Sequence, residues 1–265
     1  MRFAVILSID CANTRAGLDE LCQLLSHDTG LSLSPLVARS PSGLADALAA
    51  GDAQFAWLSP TLLFMLPKLA TMVPLLSSVR EDVAFFHAVL FAAGASPIRS
   101  LGDLQDARAA WVAPTSAAGY LVPRLALARH GIDIRRAFSH EEFFGTHGAV
   151  ARAVFAGEAD VGATYAHFEG GDSSRRLLRA GFSEVDRDAH LIDVAGPIPA
   201  DMIVAHPDVP VGERIAIAAS LSRMPSDPVG RAALRTVIGA DDFRAVGHAA
   251  MNELTALIRA AGDLG

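Results

Sequence analysis

The chain alternates short apolar runs of strand length with longer stretches in which apolar residues recur every three or four positions. Phe3 to Ile9 is a run of the first kind. Leu18 to Thr29 is of the second, with Leu18, Leu21, Cys22, Leu24 and Leu25 as its stripe and Gly30 as its stop. The alternation continues. Leu31 to Ala38 predicts a strand, and Ser42 to Ala50 a helix capped by Ser40 or Ser42 and stopped by Gly51. Phe55 to Leu58 predicts a buried strand and Thr61 to Ala70 a helix. Further on, Val83 to Ala92 and Ala110 to Ala113 read as strands, with a short helix over Leu101 to Asp106 between them. Gly119 to His130 and Gly148 to Ala156 read as helices and Val161 to Thr164 as a strand. Late in the chain, Asp201 to Ala205 is strand-like, Glu213 to Ser222 helical, and Asp241 to Ala261 reads as two helices. Strands alternating with helices call for a parallel sheet with helices on its faces. A second α/β unit starts near residue 90, and no Pro/Gly/Ser-rich tether precedes it. Two lobes joined by strands are therefore expected, a connection that allows hinge closure on a ligand.

Composition supports a packed core: of 265 residues, 51% are hydrophobic and 19% charged. A net charge of −7 argues against a nucleic-acid partner, which selects a basic face, but leaves room for a local anion site. The apolar N-terminal run is too short to span a membrane and has no cleavage site behind it. No direct membrane insertion is expected. As it stands the chain reads as cytoplasmic, or as periplasmic if a leader has been removed. Cys11 and Cys22 fit no zinc spacing and are expected as two buried thiols. No metal site and no cofactor are expected.

Three segments carry candidate chemistry. Thr115-Ser116-Ala117-Ala118-Gly119 lies between a strand and a helix, where free backbone N–H groups and the helix dipole favour an anion. Ser116 reads equally as an ordinary N-cap. Thr146-His147 opens a helix, and the following strand delivers Thr164 and Tyr165 to its C-terminal edge, where ligands of open α/β sheets bind. His147 also reads as a cap or surface residue. Ser59-Pro60-Thr61 repeats the strand-to-helix layout, with Ser59 and Thr61 as hydroxyl donors or as a plain capping turn. Arg15, Arg39 and Arg80 lie near candidate strand ends and could supply charge, or be solvated surface residues.

Taken in order, four segments resemble those of phosphate/phosphite/phosphonate-binding proteins of ABC importers. They are Gly51-Asp52-Ala53 with Ser59-Pro60-Thr61; Ser116-Ala117-Ala118-Gly119-Tyr120 with Pro123; Gly145-Thr146-His147 through Gly157-Glu158-Ala159-Asp160-Val161-Gly162-Ala163-Thr164-Tyr165; and Ile198-Pro199-Ala200-Asp201. The resemblance implies a two-lobed type II periplasmic-binding-protein fold of class α/β. Each lobe is expected as a mixed, mainly parallel sheet flanked by helices, with a hinge of crossing strands. It places lobe one at 1–84 and 195–265 and lobe two at 85–194. Ser59, Thr61, Thr115, Ser116, Ala117, Ala118, Gly119, His147 and Tyr165 would bind the ligand in the cleft. The family's turn reads Ser-Thr-Ser-Gly, so Ala117 and Ala118 stand where two hydroxyls are expected, and no Tyr follows the Ser59 turn.

The function expected is non-catalytic binding of a small anion such as phosphate, phosphite or a phosphonate, for uptake or sensing. The partner would be an ABC permease or a signalling domain. The alternative is an enzyme on the same fold, resembling chorismate dehydratase and acting on a small carboxylate, with His147, Asp10 or Glu142 as acid or base. A third reading is the effector-binding domain of a regulator.

Overall fold

The computed structural model describes residues 1–6, 11–80, 82–183, 185 and 187–246. Among these, the chain divides into two compact units, one holding residues 1–84 and those from Pro199 on, the other Phe85–Ile198.

In chain order, unit one begins with β1 (Arg2–Val5), α1 (Ala12–Thr29), β2 (Ser34–Val37), α2 (Pro41–Ala49), β3 (Phe55–Leu58), α3 (Pro60–Met65) and β4 (Val73–Val79). Unit two follows with β5 (Phe85–Ala93), β6 (Ala107–Trp111), a π-helical turn over Ala117–Leu121, α4 (Val122–Arg129), β7 (Phe138–Phe143), α5 (His147–Ala156), β8 (Val161–Phe168), β9 (Leu177–Ala180) and β10 (Ala189–Pro199). The chain then returns to unit one through β11 (Met202–Ala205), α6 (Val211–Arg223), α7 (Pro228–Ile238) and β12 (Asp242–Ala245).

The sheet of unit one runs β12-β4-β11-β3-β1-β2. Its β2-β1-β3 part is parallel, as the βαβ pattern requires, while β11 and β12 pair antiparallel. Both faces are buried. Phe3, Val5, Phe55 and Ile203 point into a core with Leu18, Leu21 and Leu25 of α1 and Leu234 of α7. Their neighbours Ala4, Ala56, Met202 and Val204 point the other way, against Leu44 and Leu48 of α2. Side chains alternate between faces at period two, so a strand covered on both sides reads as an unbroken apolar run. Each fully buried Leu contributes about 1.5–3 kcal/mol through apolar area removed from water.

Unit two repeats the plan with the order β10-β5-β8-β6-β7, and β9 pairing β8. Here β6 is parallel to β7 and β8, and β5 is antiparallel to β8. Val89 and Phe91 pack against Val150 and Val154 of α5, and Leu90 and Ala92 against Leu127 of α4. In each unit the strands that carry the chain across are neighbours: β4 beside β11, and β5 beside β10.

Local chemistry sets the helix ends. Ser40 caps α2 by accepting from Gly43 N at 3.1 Å. Thr146 caps α5 by accepting from Ala149 N at 3.2 Å, and Gly157 ends it at φ 76°, a left-handed turn that favours glycine.

Several expectations are corrected. The Thr61–Ala70 helix stops at Met65, because Pro67 has no N–H with which to continue it. The expected strand at 161–164 extends to Phe168. The boundary expected at 195 falls inside β10, which stays with unit two through Ile198. Asp242–Ala245, expected as helix, is a strand paired antiparallel to β4, and the rest of that tail lies outside the described residues. Of the two thiols expected to be buried, only Cys22 is; Cys11 is exposed at the start of α1. No described helix is long and apolar enough to cross a membrane.

Candidate functional site

In unit two, the parallel strands β6 and β7 end side by side, and their extensions stay joined. Phe144 N and Gly145 N donate to Trp111 O and Val112 O, both at 2.8 Å. The segments after them, the Ser116 turn and the start of α5, therefore emerge from one edge of the sheet.

The Ser116 turn is wound as a π-helix leading into α4. Leu121 N donates to Ser116 O at 3.0 Å, the five-residue step of that geometry. Ser116 Oγ accepts from Gly119 N at 3.1 Å, and Gly119 O accepts from Val112 N at 3.1 Å. Both polar groups of Gly119 are thus spent on shaping the turn. A Cβ there would sit 2.3 Å from Val112 Cγ2, so glycine is required by close approach. Ser116 keeps its own O–H as a donor. The N–H groups of Ala117 and Ala118 stand at the helix start, where no intrahelical carbonyl precedes them. The Ala118 methyl is buried with Ala88, Val122 and Ile198, while Ala117 and Tyr165 pack at the margin of that cluster. A hydroxyl at 118 would point into apolar packing, whereas position 117 is only partly buried. Thr115 is half-exposed at the entry to the turn.

His147 opens α5. Its Nδ1 is hydrogen-bonded to Thr164 Oγ1 at 2.8 Å, and its ring meets Tyr165 edge-on with centroids 4.9 Å apart. Burial pushes the His147 pKa down to about 4, so the ring is neutral at physiological pH. Tyr165 lies within β8 rather than at its end, but past the last residue paired with β6. It also meets His167, with centroids 5.9 Å apart.

Two contributors, Gly181 and Arg152, escaped sequence reasoning, and Thr164, expected at the ligand-facing edge of its strand, serves His147 instead. Thr164 is wholly buried and orients His147. Gly181, just after β9, presses its backbone against both: a Cβ there would lie 2.0 Å from Thr164 Oγ1 and 2.8 Å from His147 Cβ. Arg152, one turn along α5, reaches back so that its guanidinium lies 3.4 Å from where a Gly148 Cβ would stand. The α5 cap announced itself in the Thr146 position, but the Gly181 contact joins distant segments and leaves no local pattern.

Ser59 and Thr61 belong to unit one. Their hydroxyls bond each other at 2.9 Å, and Thr61 is 1% exposed. Thr61 is therefore a packed residue of the α3 start. Arg80 is committed to structure: it pairs with Asp201 at 3.2 Å and donates to Ile238 O and Gly239 O at 2.7 and 2.9 Å. Arg15 and Arg39 are exposed. Among the acid-base candidates, Asp10 lies outside the described residues, and Glu142 is exposed with His140 Nε2 3.7 Å from its carboxylate. His147 is bonded to a hydroxyl, not a carboxylate. Among the described residues no group of three His, Cys, Asp or Glu side chains is arranged to hold a metal ion.

Solved structures with this fold include a protein from Xanthomonas citri, XAC2383, bound to chloride, at TM-score 0.80 and 22% identity over 99% of this chain and 98% of that one. The same protein bound to ATP superposes at TM-score 0.78 with 21% identity over 99% and 98% of the two chains. PhnD1 from Prochlorococcus marinus, in complex with methylphosphonate, follows at TM-score 0.73 and 15% identity over 98% and 97%. No curated protein matches the sequence. The sequence profile of the family described as "ABC transporter, phosphonate, periplasmic substrate-binding protein" matches residues 3–250. That match covers nearly the whole chain, and the two-lobed α/β fold agrees with it: the chain belongs to the phosphonate-binding periplasmic substrate-binding proteins of ABC transporters.

Proposed function

We propose that the protein binds a small phosphonate- or phosphate-like anion without catalysis, holds it on the Ser116 turn and the start of α5, and hands it to an ABC permease. The observation that carries this reading is the set of donors left open at one sheet edge. These are Ser116 O–H, the N–H groups of Ala117 and Ala118, and the Tyr165 phenol packed beside them. His147 adds one more. In the tautomer in which Thr164 donates to Nδ1, the neutral ring carries its proton on Nε2 and meets the anion as a donor. Neutral donors at two helix starts favour an anion through the positive end of the helix dipoles. Arg152 supplies a full positive charge beside the α5 start. Structural neighbours that hold chloride, ATP and methylphosphonate are consistent with anion binding.

Calorimetric titration and thermal unfolding with phosphate, phosphite, methylphosphonate, ATP and a small carboxylate test the reading. A ligand present at about a hundred times its Kd stabilises the folded state by about 2.7 kcal/mol. One phosphorus oxyanion is expected to raise Tm accordingly, and Tyr165→Phe to weaken it. No response to any phosphorus anion would refute the proposal.

A further inference from the structure

We propose that Arg124 and Glu141 form a lock that holds the two ligand-facing segments of unit two in register, acting as positioning residues that touch no ligand. What those segments hold rests on the function proposed above; the lock itself is a property of the ligand-free fold.

Three pieces of chain meet at it. Trp111 ends β6 immediately before the Ser116 turn, Tyr120 sits inside the π-helical turn, and Glu141 lies on β7, the strand that leads to Thr146 and His147. Glu141 Oε2 accepts from Trp111 Nε1 at 2.7 Å and also from Arg124. The Arg124 guanidinium donates to Ile134 O at 3.3 Å and lies over two rings, 5.1 Å from the Tyr120 centroid and 6.0 Å from that of Trp111. Tyr120 in turn meets Trp111 and Phe143 edge-on, at 5.6 and 5.1 Å. Arg124 is largely withdrawn from water, with 15% side-chain exposure, while Glu141 remains partly exposed at 32%.

A π-helical turn has a rare, poorly favoured geometry and persists where tertiary contacts impose it. Arg124 suits that task, because a planar guanidinium can stack on Tyr120 and hydrogen-bond a carboxylate on another strand at the same time. Losing Glu141 strands the largely buried Arg124 charge, and losing Arg124 removes both the stack on Tyr120 and the bond to Glu141. The Tyr120 ring is then free to leave Trp111, and with it the bond that closes the turn at Leu121.

Amide exchange in the ligand-free protein tests the lock directly. Leu121 N–H, which donates to Ser116 O at 3.0 Å, is expected to exchange about tenfold faster in Arg124→Met, between the effect of breaking an exposed ion pair and that of a fully buried one. Glu141→Gln should move it the same way. Arg124→Lys, which keeps the charge but not the stack, should fall between. Arg108→Met is the control: it breaks the Arg108–Asp160 pair at 2.7 Å in the same unit, away from the turn, and should leave Leu121 exchange unchanged. Methylphosphonate is the binding probe, with affinity expected to fall about tenfold in Arg124→Met and to hold in Arg108→Met. Unchanged Leu121 exchange in Arg124→Met and Glu141→Gln overturns the lock, as does faster exchange with unchanged affinity. Failure of the wild-type protein to bind any phosphorus anion refutes the proposed function instead, and Leu121 exchange then decides the lock alone.

Discussion

Replacing Gly119 with alanine puts a methyl group where the structure has no room for one. The new Cβ would stand 2.3 Å from Val112 Cγ2, 2.5 Å from Val112 Cβ and 2.7 Å from Ser116 Oγ. Carbon atoms at ease sit about 3.5–4.0 Å apart, so the turn must move by an ångström or more. Overpacking of this kind costs about 1–3 kcal/mol. The movement also stretches the bonds from Gly119 N to Ser116 Oγ and from Val112 N to Gly119 O, each 3.1 Å long and each worth about 0.5–1.5 kcal/mol. These contributions overlap, and a loss of about 3 kcal/mol is expected. For a chain of this size that lowers Tm by about 6–12 °C. Circular dichroism melts read the stability, and titration with methylphosphonate reads the turn. The partner substitution Val112→Ala removes Cγ2 but leaves the Cβ at 2.5 Å, so the double variant should recover only part of the loss. A Gly119→Ala protein that melts with the wild type would refute the close packing. One that melts lower but binds as tightly would refute the turn's part in binding.

Gly181→Ala should drive Thr164 away from His147, since the added Cβ would overlap Thr164 Oγ1 at 2.0 Å; a stability loss of about 2 kcal/mol and weaker anion binding are expected from melts and calorimetry. His147 predicts a pH dependence. Its folded pKa, about 4, lies below the ordinary 6.5, so the unfolded chain takes up the proton first as pH falls. Stability from this group is complete above about pH 6.5 and is lost on the way down to about pH 4, at most about 3 kcal/mol in all. Urea titrations at pH 7 and 4.5 should show that slope, and His147→Asn should flatten it.

Much of the fold was legible because it is written in local pattern. β1, β3, β5 and β11 are apolar runs whose two faces are both buried, and α1 and α5 carry stripes with glycine stops. Other elements were not. β7 reads Phe-Ser-His-Glu-Glu-Phe, an edge strand with five of its six residues exposed, and shows no apolar run. β10 holds Asp193, Gly196 and Pro197 within eleven residues, the composition of a loop, and becomes a strand by pairing with β5. β12 is a strand because β4 offers it a free edge. α7 had signals that went unread, an Asp227 cap accepting from Gly230 N at 2.7 Å and Gly239 as a stop.

The apolar runs of β1, β3, β5 and β11, the stripes of α1 and α5 and the caps of α2 and α5 follow from the sequence alone, because each depends on residues within a few positions of one another. Tertiary structure decided what those residues are free to do. It spent Gly119 on the shape of the turn, buried the Ala118 methyl where a lost hydroxyl had been supposed, and tied Arg80 to Asp201. It also brought Gly181, Thr164 and His147 together and set Arg124 across three segments. Burial and hydrogen-bond partners come from residues far away in the chain, so no local pattern could have assigned them.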